Sequence, residues 1–133
     1  VVRNPWDMMV SFRKVALLNP TGSKLPLADN FTDFVLGFAF ENLAPPFDTH
    51  AVNEGWYFDA ATGTPLVDEF IRFEDLQAGF DHVCHTVGLP HKPLLHMQNK
   101  GARPSYRDYY TPETRDRVAH LFARTIDHFG YVF

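Results

Sequence analysis

Arg3 and Ser11 are the first residues whose types and spacing could bind a ligand. Arg3 precedes Asn4-Pro5, a pair typical of a helix start, because Asn accepts hydrogen bonds from first-turn amides and Pro needs no amide donor there. Ser11 follows Arg3 by eight residues. A helix N-terminus, a guanidinium and a hydroxyl together can hold a phosphate group. The alternative is that Arg3 forms a surface ion pair and Ser11 is an ordinary helical residue.

A second group of cations lies in a loop rich in proline and glycine that runs from Pro90 to Pro104. Its second half contains Lys100 and Arg103 and no acidic residue. This is the only local basic run in the sequence, so it is the second candidate for contact with an anion. A solvated surface loop has the same composition, and that alternative stays open.

The seven histidines raise the question of a metal site. His82, Cys84 and His85 form an H-x-C-H pattern on a predicted helix. On a helix, residues 82 and 85 share a face while residue 84 points away, and no second cysteine lies at zinc-ligand spacing. The sequence therefore predicts no metal site.

Length and charge limit the classes of function. The chain has 133 residues, the size of one domain, and a net charge of −4. That charge argues against nucleic acid or a membrane surface as partner, and no apolar run is long enough to span a bilayer. The one cysteine, Cys84, cannot form an internal disulfide, which favours a reducing, cytoplasmic location.

The elements that must position these residues are predicted from hydrophobic period and from capping residues. Helices are expected over residues 5–18, 31–40 and 76–87, and from the Thr111 cap to Gly130. Strands are expected at residues 1–2, 56–58 and 66–73, the last two joined by a turn. The fold class that follows is α/β, rich in helices, with a small and partly parallel sheet.

Three segments, in order along nearly the whole chain, resemble one enzyme family. They are VRNPWDMMVS at 2–11, VDEFIRFEDL at 67–76 with VGLP at 87–90, and YRDYYTPE at 106–113 with the closing FGY at 129–131. Together they resemble the sulfotransferases that use 3′-phosphoadenosine 5′-phosphosulfate, in particular the carbohydrate-type family and its bacterial relatives. The resemblance implies a truncated sulfotransferase domain over residues 1–133, with a fold like that of the P-loop nucleotide kinases.

The resemblance also implies a cofactor and its ligands. The chain would take part in transfer of a sulfuryl group from 3′-phosphoadenosine 5′-phosphosulfate to a hydroxyl or amine, with 3′-phosphoadenosine 5′-phosphate as product. Arg3 and Ser11 match the residues that grip the 3′-phosphate, and Lys100 and Arg103 match a basic loop that folds over it. His50 matches a region near the acceptor, although a loop histidine without such a role is the more common case, and the class of acceptor stays open.

The sequence departs from the family at one important point. No G-x-x-x-x-G-K-[ST] pattern, which would cradle the 5′-phosphosulfate, occurs in the 133 residues. The chain starts at Val1 without methionine, so we expect a piece of a longer protein that is inactive alone. The alternative is an inactive nucleotide-binding or interaction module that forms a homo-oligomer through an exposed sheet edge.

Overall fold

The computed structural model describes residues 1–20, 25, 27–38, 57–59, 61–94 and 104–133. Within these ranges the chain forms five α-helices, which are α1 (Pro5–Leu18), α2 (Phe31–Leu36), α3 (Leu76–Thr86), α4 (Pro112–Leu121) and α5 (Ala123–Phe129). Two short 3₁₀ helices, Phe73–Asp75 and Tyr106–Tyr109, precede α3 and α4. None of the helices in the described ranges is long and apolar enough to cross a bilayer.

The predicted α/β fold, with its P-loop-like and partly parallel sheet, is wrong for the part of the chain that the structure describes. That part is helical and contains no strand. Two isolated β-bridges stand where strands were expected: Val2 is parallel to Arg72, and Phe58 is antiparallel to Pro65. The sheet edge that was to drive self-association therefore has no counterpart among the described residues.

The stretch from Leu66 to Phe73 shows why pairing does not extend into a strand. The turn closes as predicted, since the Asp59 amide donates to the Thr64 carbonyl and the Leu66 amide to the Tyr57 carbonyl, each at 2.8 Å. Pro65 has no amide to donate to a ladder. Beyond it, the side chains of Leu66 and Val67 remain 55% and 42% exposed. A strand is stabilised by a paired backbone and a covered apolar face, and beyond the Leu66 amide these two residues have neither within the described ranges.

The helix boundaries follow the capping residues closely. The prediction for α1 is confirmed at both ends, and the Asn4 side chain accepts a hydrogen bond from the Trp6 amide at 3.0 Å. The last helix begins after Thr111 and ends at Gly130, which adopts a left-handed conformation with φ 63°. It is not continuous, however, because the fully buried Phe122 leaves helical geometry and separates α4 from α5.

A mainly aromatic core holds the helices together. Phe34 and Phe38 from the α2 region pack with Met9 of α1 and with Val118 and Phe122 at the end of α4, all essentially inaccessible to solvent. Burial of this much apolar surface is the main source of stability. The core fixes one face of α1 and leaves the opposite face free to line a cleft.

Candidate anion-binding cleft

The outer face of α1 forms one wall of a cleft of about 660 Å³. Arg3 and Ser11 both line it, together with Asp7 and Lys14. Asp7, Ser11 and Lys14 follow one another at spacings of four and three in α1, which places them in a single row. Arg3 lies just before the helix and reaches this row through its contact with Asp7. The opposite wall is Phe31 at the start of α2 with Pro104, Tyr106 and Tyr109. The structure thus brings the two residues of the first sequence prediction to one cleft.

The start of α1 is held in place by contacts from distant parts of the chain. The Asn4 amide donates to Glu74 Oε1 at 2.6 Å, and the Asn4 side chain donates to the Val132 carbonyl at 3.2 Å. The Trp6 indole donates to the Arg115 carbonyl at 3.1 Å. Because residues from the centre and the end of the chain fix this helix start, Arg3 projects from a defined position.

The Arg3 guanidinium is oriented by two neighbours. Its Nε lies 2.7 Å and its Nη2 2.5 Å from the same carboxylate oxygen of Asp7, one turn further along. Its plane also lies over the Phe73 ring, 4.3 Å from the centroid. The side chains of Arg3 and Asp7 are 18% and 33% exposed, so the pair is only partly shielded from water. Among the described residues, nothing accepts a hydrogen bond from the remaining nitrogen, Nη1.

Ser11 contributes a hydroxyl on the same helix face. The side chain is half-buried and lines the cleft. In the described part of the chain its hydroxyl neither donates nor accepts a hydrogen bond, although a helical serine can bond to the carbonyl one turn back. Ser11 therefore has a donor and acceptor available to a ligand in the cleft.

Two further cations line the cleft, and the sequence analysis did not single them out. Arg13 donates from Nη2 to the Asp29 carbonyl at 3.1 Å, while its Nε is buried without any acceptor. Lys14 is exposed, and no acidic side chain within the described ranges forms an ion pair with it. The signal was present in the sequence, since Lys14 continues the row of Arg3, Asp7 and Ser11 at helical spacing.

The opposite wall is aromatic. The Phe31 and Tyr109 rings meet edge to face with centroids 5.7 Å apart, and Tyr109 is 39% exposed. Behind them, the Tyr110 hydroxyl donates to the Trp6 carbonyl at 2.8 Å and ties this wall to α1. Burial, with a smaller effect of the Asp7 charge, raises the pKa of Tyr110, so this phenol stays protonated and keeps donating.

Arg72 and Glu74 both form contacts that hold the fold together. Arg72 donates to the Phe129 carbonyl, and its guanidinium lies 5.1 Å from the centre of the Tyr131 ring. Glu74 caps the Asn4 amide and accepts a hydrogen bond from the Tyr131 hydroxyl at 3.3 Å. Burial, followed by the Glu74 charge, raises the pKa of Tyr131. These groups anchor the end of the chain to the start of α1.

The other sequence-predicted site residues cannot be compared with the structure. Lys100, Arg103 and His50 lie outside the described residues. Pro104, next to Arg103 in the sequence, lines the cleft. Of the histidines in the H-x-C-H pattern, His82 lies 3.6 Å from Glu69 at the surface, and Cys84 is buried. Where side chains are described, no three His, Cys, Asp or Glu residues are grouped to hold a metal ion.

The chain was compared with protein-family models, curated proteins and solved structures, and none of them matches it.

Proposed function

We propose that this chain is part of a sulfotransferase that uses 3′-phosphoadenosine 5′-phosphosulfate, and that the α1 cleft binds the 3′-phosphate of this cofactor. The observation that carries the proposal is that Arg3 and Ser11, eight residues apart, line one cleft. In the described structure, Arg3 Nη1 and the Ser11 hydroxyl have no hydrogen-bond partner and are available to a ligand. The sequence resemblance names these same two residues. The fold is not an argument for the proposal.

The chemistry of the cleft suits a phosphate group. Arg3 presents Nη1 as a charged donor, and its plane is fixed by Asp7 and Phe73 before a ligand arrives. Ser11 supplies a neutral donor about two turns further along the helix. Charge-assisted hydrogen bonds of this kind are roughly twice as strong as neutral ones. A planar base has an aromatic wall available at Phe31 and Tyr109.

The proposed role covers binding of one end of the cofactor. In the complete reaction, the sulfuryl group moves from the 5′-phosphate oxygen to an acceptor hydroxyl or amine, the acceptor proton is lost, and 3′-phosphoadenosine 5′-phosphate leaves. No G-x-x-x-x-G-K-[ST] pattern occurs in the 133 residues, so we assign no catalytic residue here. The roles of Lys100, Arg103 and His50, the homo-oligomer and the cytoplasmic location stay predictions.

A second candidate function is that of a nucleotide-binding module without transfer activity. The α1 cleft would suit such a module, because binding of the 3′-phosphate does not require a phosphate loop. Both candidate functions require Arg3 to bind the 3′-phosphate. They differ in whether sulfuryl transfer to any acceptor accompanies binding.

Calorimetry with 3′-phosphoadenosine 5′-phosphate tests the proposal. We expect Arg3→Ala to weaken binding by roughly 10- to 100-fold, the value of a charge-assisted hydrogen bond. Arg124→Ala is the matched control, because it removes an exposed arginine that does not line the cleft. Binding that is undetectable in the unaltered chain at millimolar nucleotide, or equal in Arg3→Ala, would refute the proposal.

A further inference from the structure

The positive charge of the cleft is concentrated at one end. At the Arg3 end, the Asp7 carboxylate lies 2.5 Å from the guanidinium and balances its charge. At the Arg13 and Lys14 end, the described residues supply no carboxylate within ion-pair distance of either cation. Since both cations line the cleft with Arg3, its net positive field comes from the residues that the 3′-phosphate prediction did not use.

Arg13 is the better ordered of the two cations. It is half-buried, and its Nη2 is bound to the backbone carbonyl of Asp29 at 3.1 Å. Its Nε is buried with no hydrogen-bond acceptor. Among the described residues, the guanidinium therefore contacts one neutral oxygen and no carboxylate. An anion in the cleft would interact with the part of the side chain that lines it and would balance its charge.

Lys14 places a second charge beside Arg13. Its Cα lies about 4.5 Å further along the axis of α1 than that of Ser11 and about 10.5 Å further than that of Asp7, the residue that holds the Arg3 guanidinium. The Arg3 guanidinium is held at Asp7, about two turns of helix from Lys14, and this separation leaves room for two anionic groups in one cleft. Lysine binds phosphate, sulfate and carboxylate as a mobile point charge, which complements the directional donors of arginine.

We propose that Arg13 and Lys14 form a second anion subsite, so that the cleft takes a ligand set with two anionic groups. This inference rests on the proposed function for the first group, the 3′-phosphate at Arg3 and Ser11. The second group is a phosphate, sulfate or carboxylate. It belongs either to the same nucleotide or to a separate molecule such as an acidic acceptor.

The two sources are separated by calorimetry with three probes. They are 3′-phosphoadenosine 5′-phosphate (the bisphosphate), adenosine 3′-monophosphate (the monophosphate) and inorganic sulfate. If the second group belongs to the nucleotide, the bisphosphate binds the unaltered chain at least about 10-fold more tightly than the monophosphate. If it belongs to another molecule, the two nucleotides bind equally, and sulfate binds in addition to saturating monophosphate. Either result supports the subsite only if the tighter binding of the bisphosphate, or the additional binding of sulfate, is lost in the double variant Arg13→Gln/Lys14→Gln.

The controls separate the subsite from general charge and from folding. Lys92→Gln/Arg124→Gln removes one lysine and one arginine that do not line the cleft and should keep the additional anion binding. Lys14→Gln alone removes a side chain with no hydrogen bond or ion pair in the described structure, so it tests the subsite even if loss of Arg13 unfolds the chain.

Equal binding of both nucleotides with no binding of sulfate, or additional anion binding that survives Lys14→Gln and the double variant, would overturn the second subsite. Failure of the proposed function is a distinct result. In that case Arg3→Ala leaves monophosphate binding unchanged, whereas sulfate binding to the free chain still depends on Arg13 and Lys14.

Discussion

Arg3 and Arg72 have similar structural surroundings but different roles. Arg72 pairs with Val2 in the parallel bridge, Arg3 follows Val2 in the sequence, and each arginine precedes a helical segment. Each guanidinium also stacks on an aromatic ring, Arg3 on Phe73 and Arg72 on Tyr131. Arg72, however, donates to a backbone carbonyl at the end of α5, whereas Arg3 pairs with a carboxylate in the wall of a cleft. The partner of an arginine, more than its position in a motif, distinguishes an anchor from a candidate ligand.

The largest expected effect is the difference in stability between alanine variants of these two arginines. Arg72→Ala leaves the Phe129 carbonyl without its donor and should lower the free energy of unfolding by about 1–3 kcal/mol. Arg3→Ala breaks a partly exposed ion pair and should cost less than about 1 kcal/mol. Urea denaturation of both variants measures the difference. Equal losses would mean that Arg3 is also a structural anchor.

A smaller effect should separate two hydroxyls, those of Ser11 and Thr111. The Thr111 hydroxyl caps α4 by accepting from the Thr114 amide, so Thr111→Ala should destabilise the chain by about 1 kcal/mol. Ser11→Ala removes a hydroxyl that the described structure does not use and should leave the unfolding free energy within about 0.5 kcal/mol. It should instead weaken binding of 3′-phosphoadenosine 5′-phosphate by roughly 5- to 10-fold. A Ser11→Ala chain that melts early and binds normally would reverse this assignment.

The smallest effect appears only at high pH. The pKa values of Tyr131, beside Arg72, and Tyr110, beside Trp6 and Asp7, are both raised above the usual value of 10.0, chiefly by burial. The folded state therefore favours the protonated phenols. Their contribution to stability is fully present below pH 10 and decreases as pH rises above it. Denaturation midpoints measured from about pH 8 to about pH 11, a range around the reference pKa of tyrosine, should decrease toward the higher pH. The decrease should be less steep in Tyr131→Phe. A slope unchanged by this substitution would show that Tyr131 does not contribute to it.

Local signals in the sequence were sufficient for the helices and insufficient for the sheet. Asn4, Pro5 and the apolar period gave α1 its observed limits, because capping and helical hydrogen bonds are formed within a few residues of one another. The predicted strand at 66–73 failed because a strand depends on a distant partner and on a covered face. In the described structure, Leu66 and Val67 are exposed, and their one backbone hydrogen bond is the local one from the Leu66 amide to Tyr57 across the turn.

The candidate site was predictable in part for the same reason. Ser11 lies on α1 and Arg3 lies immediately before the cap of the same helix, so their spacing was informative. The aromatic wall of Phe31, Tyr106 and Tyr109 depends on packing between distant segments, and no local pattern identified it. Arg13 and Lys14 lie in the second half of α1, away from the capping signal that identified Arg3, although the helical period already placed Lys14 in the row with Asp7 and Ser11.

The central claim is that Arg3 and Ser11 bind a 3′-phosphate, and a crystal structure of the chain with 3′-phosphoadenosine 5′-phosphate tests it most directly. We predict that the 3′-phosphate oxygens lie about 3 Å from Arg3 Nη1 and from Ser11 Oγ, with Asp7 still holding the other side of the guanidinium. A nucleotide bound outside the α1 cleft, or bound in it with its 3′-phosphate away from both residues, would contradict the account.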